Sequence, residues 1–160
     1  MRVVAVLLMV LCLAAVGLTG YVYLTANVII TGIDCVAADA ADQAELFQEL
    51  KREIGAEAFT GTPFETRDLG EAGDYQFYTY RVQLRNDTFV RAEVAQIQIS
   101  PMNGDVLQTP ETGPQEIPPR GTGEIQGTIL TGKDMHNVRE ILVTYYLWGL
   151  PFSIRTTYSR

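Results

Sequence analysis

The hydrophobic and polar residues of this chain follow three patterns in succession, and the first is an uninterrupted apolar run. No charged residue occurs in Val3–Ile33. Val3–Leu24 alone matches the ~20 apolar residues that a helix needs to cross a bilayer core of ~30 Å. Tyr21 and Tyr23 would then lie near the outer interface, where amphipathic rings are favoured. The pattern predicts a transmembrane anchor or signal segment over residues 1–25.

Three interpretations of this segment compete. An uncleaved membrane anchor fits its length, whereas a cleaved signal peptide would use Ala15-Val16-Gly17 as a small-residue cleavage site. A core helix of a soluble protein is disfavoured, because polar residues recur at no helical period. A lipoprotein signal is excluded, because Cys12 follows Val10-Leu11, where such a signal needs a small residue.

The positions of the basic residues predict the orientation of the chain. Arg2 and the terminal amine carry the positive charge that precedes the apolar run, and the next basic residue is Lys51. Because basic residues favour the cytoplasmic side of a membrane, we expect a single-pass protein with a cytoplasmic N-terminus and an extracytoplasmic C-terminal domain. Cleavage near Gly17 would instead give a secreted protein.

The second pattern is a helical stripe within residues 26–74, a region that we expect to hold a linking strand, an acidic helix and a loop. Spacings of three and four residues predict a helix over Asp39–Ile54. Asp39 is expected to cap this helix and Gly55 to end it. The narrow stripe indicates a helix that covers a sheet with one face. Its apolar residues are Ala40, Ala44, Phe47, Leu50 and Ile54.

The third pattern, over residues 75–160, is an alternation with period two that is typical of half-buried strands. Asn86-Asp87-Thr88 is expected to form a hairpin turn. In the second strand Ala95 and the isoleucines are expected to face inward and Val94 outward. The prolines of Thr109–Pro119 exclude a central strand there. The predicted strands are Tyr75–Arg85, Glu93–Ser100, Val106-Leu107, Gly123–Leu130, Glu140–Trp148 and Phe152–Tyr158.

Three short segments resemble the immunoglobulin-like sandwich domains that follow a single N-terminal anchor in many exported bacterial proteins. They are Val82-Gln83-Leu84-Arg85-Asn86, the corner Ile117-Pro118-Pro119-Arg120-Gly121, and Val143-Thr144-Tyr145-Tyr146. The resemblance covers just over half of the chain and departs from antibody-type domains, because Trp148 has no flanking cysteines. It implies an antiparallel immunoglobulin-like β-sandwich, here with one covering helix and a preceding transmembrane helix. Such domains act in adhesion, assembly or ligand binding.

Charge changes this picture through its distribution. The 160 residues include 12 Lys and Arg against 19 Asp and Glu, for a net charge of −7. Asp34–Asp74 holds 11 acidic and three basic residues, a balance of −8, whereas Tyr75–Arg160 is neutral. The acidic segment either attracts a cation or basic partner or serves as a solvated face. The excess of acid argues against nucleic acid as a partner.

Few residues suit catalysis or metal binding. His136 is the one histidine, and no Gly-x-Ser-x-Gly sequence accompanies it. Cys12 and Cys35 are separated by the apolar segment, so they cannot form a disulfide with each other and add too little for a zinc site. The aspartates at 34, 39 and 42 lack the EF-hand spacing. Gly121-Thr122-Gly123 precedes a strand, unlike a phosphate loop. We therefore expect no enzyme, no metal and no cofactor.

The remaining candidates are aromatic. Tyr75 and Phe77 share one face of a strand, and Tyr146 and Trp148 share a face of another. These four either form a binding surface for a glycan or peptide or pack beneath the acidic helix. We expect a non-enzymatic, membrane-tethered extracytoplasmic module for protein interaction or envelope assembly, held by residues 3–24, with a protein partner at the cell envelope. The alternative is an extracytoplasmic small-ligand or glycan-binding or sensor module.

Overall fold

The computed structural model describes residues 2–25, 27–56, 62–64, 68–109 and 115–159. It contains two α-helices and eight strands within these ranges. Short 3-10 turns at Ala40–Gln43 and Ala72–Asp74 complete the elements. In chain order the helices and strands are α1 (Arg2–Thr25), β1 (Val28–Asp39), α2 (Ala44–Gly55), β2 (Tyr75–Asn86), β3 (Ala92–Ile99), β4 (Asp105–Gln108), β5 (Gln115–Ile117), β6 (Thr122–Gly132), β7 (Arg139–Leu147) and β8 (Leu150–Tyr158).

The strands form two four-stranded antiparallel sheets, so the prediction of a mainly antiparallel β fold with one short helix is confirmed. The first sheet has the order β1-β2-β6-β4 and the second the order β5-β3-β7-β8. β7 lies inside its sheet, as expected for a strand that is apolar on both faces. β5 lies at an edge, which agrees with the prolines around it. β1 pairs with β2 from Val28 to Asp39, so the sheet draws its first strand from before Tyr75.

The main core lies between the inner faces of the two sheets. Burial alternates along β7 and along β2 from Tyr78 to Asn86, as a period of two predicts. Phe77, on the outer face of β2, is buried as well because α2 covers it. Each large apolar side chain that is fully buried contributes roughly 1.5–3 kcal/mol to stability. The members of this main core include Tyr80, Val82, Leu84, Ile97, Ile99, Ile125, Ile129, Ile141, Val143, Tyr145 and Leu147.

A bulge in β3 corrects one prediction. The pairing of β3 with β7 shifts register between Val94 and Gln96, so the chain changes face there. Val94 is consequently buried with Ile97 and Ile99, so the prediction that Val94 faces outward is wrong. The side chain of Ala95, also expected inward, lies outside the described part of the chain.

A second, smaller core forms where α2 covers the outer face of the first sheet. Phe47 and Leu50 of α2 are buried against Phe77 of β2 and Leu130 of β6. The covering helix is therefore confirmed, but it begins at Ala44 after a 3-10 turn. Asp39 makes no capping hydrogen bond, because it ends β1 instead, so its predicted role as a cap is wrong.

The helix α1 extends from one end of the sandwich. Its segment Val3–Thr25 is long and apolar enough to cross a membrane, a property that a signal sequence shares. The last turn contacts the sandwich, where Val22 is 3% exposed and belongs to the main core. We call this end, formed by the last turn of α1 and residues 85–91, 117–121 and 147–150, the base. The acidic helix α2 packs on the opposite half of the first sheet.

Candidate functional site

The four predicted aromatic residues do not form one surface. Phe77 is 1% exposed beneath α2, and Tyr75 is half-buried beside Phe47, with ring centroids 5.6 Å apart. Tyr146 is half-buried on the outer face of the second sheet. Trp148 alone is widely exposed, at 54%, and it lies at the base. The interpretation of sheet-to-helix packing therefore describes Tyr75 and Phe77.

Trp148 lies at the tip of the turn between β7 and β8. Leu147 pairs with Leu150, so Trp148 and Gly149 are the two central residues, with φ of 52° and 76°. This geometry favours Asn and Gly at such turns. A non-glycine residue in the left-handed region costs roughly 1–2 kcal/mol. The strand predicted to run through Trp148 thus ends one residue earlier, and its aromatic ring projects from a strained turn.

A chain of aromatic rings links Trp148 to α1. The ring of Trp148 meets Phe89 edge-on, with centroids 5.9 Å apart, and Phe89 lies 6.2 Å from Tyr21 of α1. On the second sheet, Tyr23 of α1 lies 5.4 Å from Phe152. Together with Val22, these contacts fix the last turn of α1 against the base. Sequence reasoning missed Phe89, since it stands alone in a polar loop.

Asn86 builds the loop that carries Phe89. Its buried Nδ2 donates to the carbonyls of Val90, Ile117 and Pro118 at 2.7, 3.2 and 3.2 Å. Its Oδ1 accepts from the backbone N–H and hydroxyl of Thr88 at 3.0 and 2.7 Å. The expected turn therefore exists, but it joins strands of different sheets, so its assignment as a hairpin is wrong.

Charged side chains surround the base. Arg85 donates to Asp87 at 2.8 Å, and Arg91 to Glu116 at 3.1 Å. The Arg85 guanidinium lowers the pKa of the Asp87 carboxyl through its hydrogen bond. Arg120 is exposed beside them, with φ of 56°. Residues 85–91 and 116–121 thus place three arginines and two carboxylates around the base.

A buried ion pair joins the two sheets at the other end. The guanidinium of Arg139 on β7 donates from Nε and Nη2 to Asp105 on β4, at 2.8 and 2.6 Å. Both side chains are 0% exposed. Nη1 donates to the carbonyls of His136 and Val138 at 2.8 and 2.6 Å. The arrangement satisfies the guanidinium and fastens the loop before β7, a structural role.

Buried tyrosines hold the same loop. The hydroxyl of Tyr78 donates to the carbonyl of Met135 at 2.7 Å, and that of Tyr80 to Asn137 at 2.9 Å. Burial raises the pKa of both phenols. It also raises the pKa of the neighbouring Cys35 thiol, a shift that a hydrogen bond with Tyr80 partly offsets. These groups therefore stay neutral over the physiological range.

The other residues weighed for chemistry are dispersed. His136, Asp34 and Asp42 are each exposed. Asp39 forms an ion pair with Lys133 at 3.4 Å. Within the described ranges, no group of three or more His, Cys, Asp or Glu side chains is arranged to hold a metal ion. Cys12 and Cys35 are both free thiols. The base is therefore the feature with the most distinctive surface.

Comparisons with known proteins give no close relative. No family model matches the chain, and no curated protein matches it. Among solved structures, one described as the crystal structure of FixG-related protein from Vibrio parahaemolyticus aligns with 79% of this chain and 93% of its own length, at 11% identity and a TM-score of 0.35. This likeness is too distant to carry an argument about fold or function.

Proposed function

We propose that this protein is a non-enzymatic, membrane-tethered extracytoplasmic module with an immunoglobulin-like β-sandwich, which serves protein interaction or assembly at a bacterial cell envelope. The observation that carries the proposal is the continuity between α1 and the sandwich. Val22 of α1 is a core residue of the domain, while the preceding turns are apolar and exposed. An exposed apolar helix is stable in lipid and unfavourable in water, so a membrane anchor is its natural use.

The strand order supports an immunoglobulin-like topology. In that fold, strands A, B, E and D form one sheet and C, F and G form the other. The order β1-β2-β6-β4 corresponds to A-B-E-D, and β3-β7-β8 corresponds to C-F-G. β5 adds a short edge strand beside β3. Domains of this kind have two sheet faces and exposed edges that are suited to protein contacts.

The open edges support an interaction role. β1 and β8 are outer strands of their sheets, and partly buried apolar side chains line both of them: Ile30, Ile33, Phe152 and Ile154. An outer strand presents unpaired backbone groups to which a strand of another protein can add. The absence of catalysis is proposed because the buried ionisable and polar groups, Arg139, Asp105 and Asn86 among them, are engaged in structural hydrogen bonds.

A small-ligand or glycan-binding module ranks second. It requires aromatic rings on one open face, whereas the structure buries Phe77 and leaves Trp148 distant from it. The exposed ring of Trp148 is the observation that favours this alternative. Thermal-shift measurements with glycans and peptides test it, since a true ligand must raise the unfolding temperature.

The proposal is tested by expressing the full chain with a C-terminal tag in a bacterium. We expect the protein to stay in the membrane pellet after alkaline carbonate extraction, and protease added to spheroplasts to remove the tag. A photo-reactive residue at position 154 should give a discrete cross-linked product, whereas the same residue at position 46 on α2 should not. Release by carbonate, a protected tag, or turnover in a hydrolase panel that Ala substitution of an acidic residue abolishes would each contradict the proposal.

A further inference from the structure

The base exposes aromatic rings beside the end of the apolar helix. Outside α1, the large hydrophobic side chains exposed in the described ranges include two aromatics, Trp148 at 54% and Phe89 at 49%. The two rings pack against each other, and Phe89 contacts Tyr21 of α1. Rings that could shield one another inside a core are instead directed outward at one end of the domain.

Local stability does not account for a tryptophan at this position. Trp148 occupies a left-handed turn position, with φ of 52°, where Asn or Gly is favoured. Neither does core packing account for it, because more than half of its surface is in contact with solvent. Backbone strain of this kind is retained where a residue has a use outside the fold.

The position of α1 indicates what the rings face. If α1 spans the bilayer, as the proposed function holds, its last turn lies in the outer headgroup region. The sequence leaves two residues between Thr25 and Val28, and Val22 is held in the core. The base must therefore lie directly at the membrane surface, at the depth where Trp and Tyr rings are most favourable.

Charge favours the same orientation. The loops at the base carry three exposed arginines, Arg85, Arg91 and Arg120, against the carboxylates of Asp87 and Glu116, which leaves a net charge of +1. Basic side chains at this depth attract anionic lipid headgroups. The acidic helix α2 packs near Phe77, nine residues before Asn86 on β2, which is roughly 30 Å from the base at ~3.3 Å per residue.

We propose that the base is a lipid-contact surface, in which Trp148 and Phe89 enter the headgroup region of the bilayer that α1 spans. The sandwich then stands on the membrane at two points, the helix and the aromatic hairpin tip. This inference rests on the proposed membrane anchoring. It goes further by assigning lipid as the partner of a surface of the folded domain.

Trp148 is the sole tryptophan of the chain, so its fluorescence reports directly on the base. The full chain is reconstituted into vesicles of phosphatidylcholine and phosphatidylglycerol, with and without lipids brominated near the headgroup. We expect blue-shifted emission, protection from aqueous iodide, and loss of roughly half or more of the emission in brominated vesicles, as for an interfacial ring. The matched control is Leu46→Trp/Trp148→Phe, which moves the reporter to α2 and should be quenched by iodide and not by brominated lipid.

The outcomes separate this inference from the proposal on which it rests. Vesicle flotation first shows whether the chain is anchored. Anchored chains in which iodide quenches Trp148 and brominated lipid does not would overturn the lipid-contact surface and leave the anchored module intact. Chains that fail to float with vesicles would overturn both. Equal lipid quenching of the two reporters would also overturn the inference, because it would indicate a domain lying on its side.

Discussion

The buried ion pair of Arg139 and Asp105 provides a sharp test of the energetics of this fold. Both side chains are fully buried, and the carboxylate also accepts from the backbone N–H of Met102 at 2.8 Å. Arg139→Met leaves that carboxylate without a counter-charge, and Asp105→Leu leaves the guanidinium without one. Breaking a buried pair in this way costs about 3–5 kcal/mol, so each single variant should be strongly destabilised.

The double variant should be more stable than either single variant. Arg139→Met with Asp105→Leu removes both desolvated charges and replaces them with apolar volume, which is often close to neutral. The carbonyls that Arg139 Nη1 served and the partly buried N–H of Met102 then lose their partners, at about 1–3 kcal/mol together. The expected cost of the double variant is therefore about 1–3 kcal/mol, which implies a coupling energy of at least about 3 kcal/mol.

Equilibrium urea unfolding of the full chain in a mild non-ionic detergent, followed by near-ultraviolet circular dichroism, measures these free energies. Arg155 and Glu140 provide the matched control, since they form an ion pair at 3.3 Å with side chains 68% and 41% exposed. Arg155→Met and Glu140→Leu should each cost less than about 1 kcal/mol. A double variant at positions 105 and 139 that loses the sum of its single losses would refute the reasoning.

Three further predictions concern packing, the connecting loop and pH. Val22→Ala should lower the free energy of unfolding of the sandwich by about 2 kcal/mol. Val16→Ala, at a site exposed in the structure, should leave that free energy unchanged. Equal urea midpoints for the two variants would contradict docking of α1 on the sandwich. Asn86→Ala should lower the free energy of unfolding by about 3 kcal/mol or more, since several buried groups lose their hydrogen-bond partners. Asn103 is exposed, so Asn103→Ala should leave the free energy of unfolding almost unchanged. Burial raises the pKa of the phenols of Tyr78, Tyr80 and Tyr145, so these groups lose their protons more readily in the unfolded chain than in the folded one. Their contribution to stability is complete below the unfolded pKa, and the urea midpoint should therefore fall as pH rises above about 10. Tyr80→Phe should flatten that fall, and an unchanged slope would count against the assigned cause.

Much of the fold could be predicted from periodicity. The apolar run, the stripe of α2 and the alternation of β2, β6, β7 and β8 depend on which side chains share a face, and this is a local property of the sequence. Boundaries and faces were less predictable where tertiary structure intervened. The bulge after Val94 reverses a strand face without any glycine or proline to signal it. Asp39 ends a strand because pairing with β2 competes with helix capping.

The site was less predictable than the fold. Trp148 was recognised as an aromatic candidate, but its exposure depends on a turn conformation that tryptophan rarely adopts. Phe89 carried no signal, since a single aromatic residue in a polar loop has no periodic partner. Phe77 could be assigned to a face, but which of two faces α2 covers is decided by contacts distant in sequence. Such pairings arise from the folded chain as a whole.

The length of the sandwich has a consequence for the electrostatics of α2. The twelve residues of β2 extend for roughly 40 Å, and α2 lies toward their distal half. At physiological salt, the Debye length is about 8 Å. If the base rests on a bilayer as proposed, the negative surface potential of anionic lipids is screened several times over before it reaches the acidic helix. On an upright domain, α2 therefore carries its negative charge far enough from the bilayer to escape repulsion by anionic lipid.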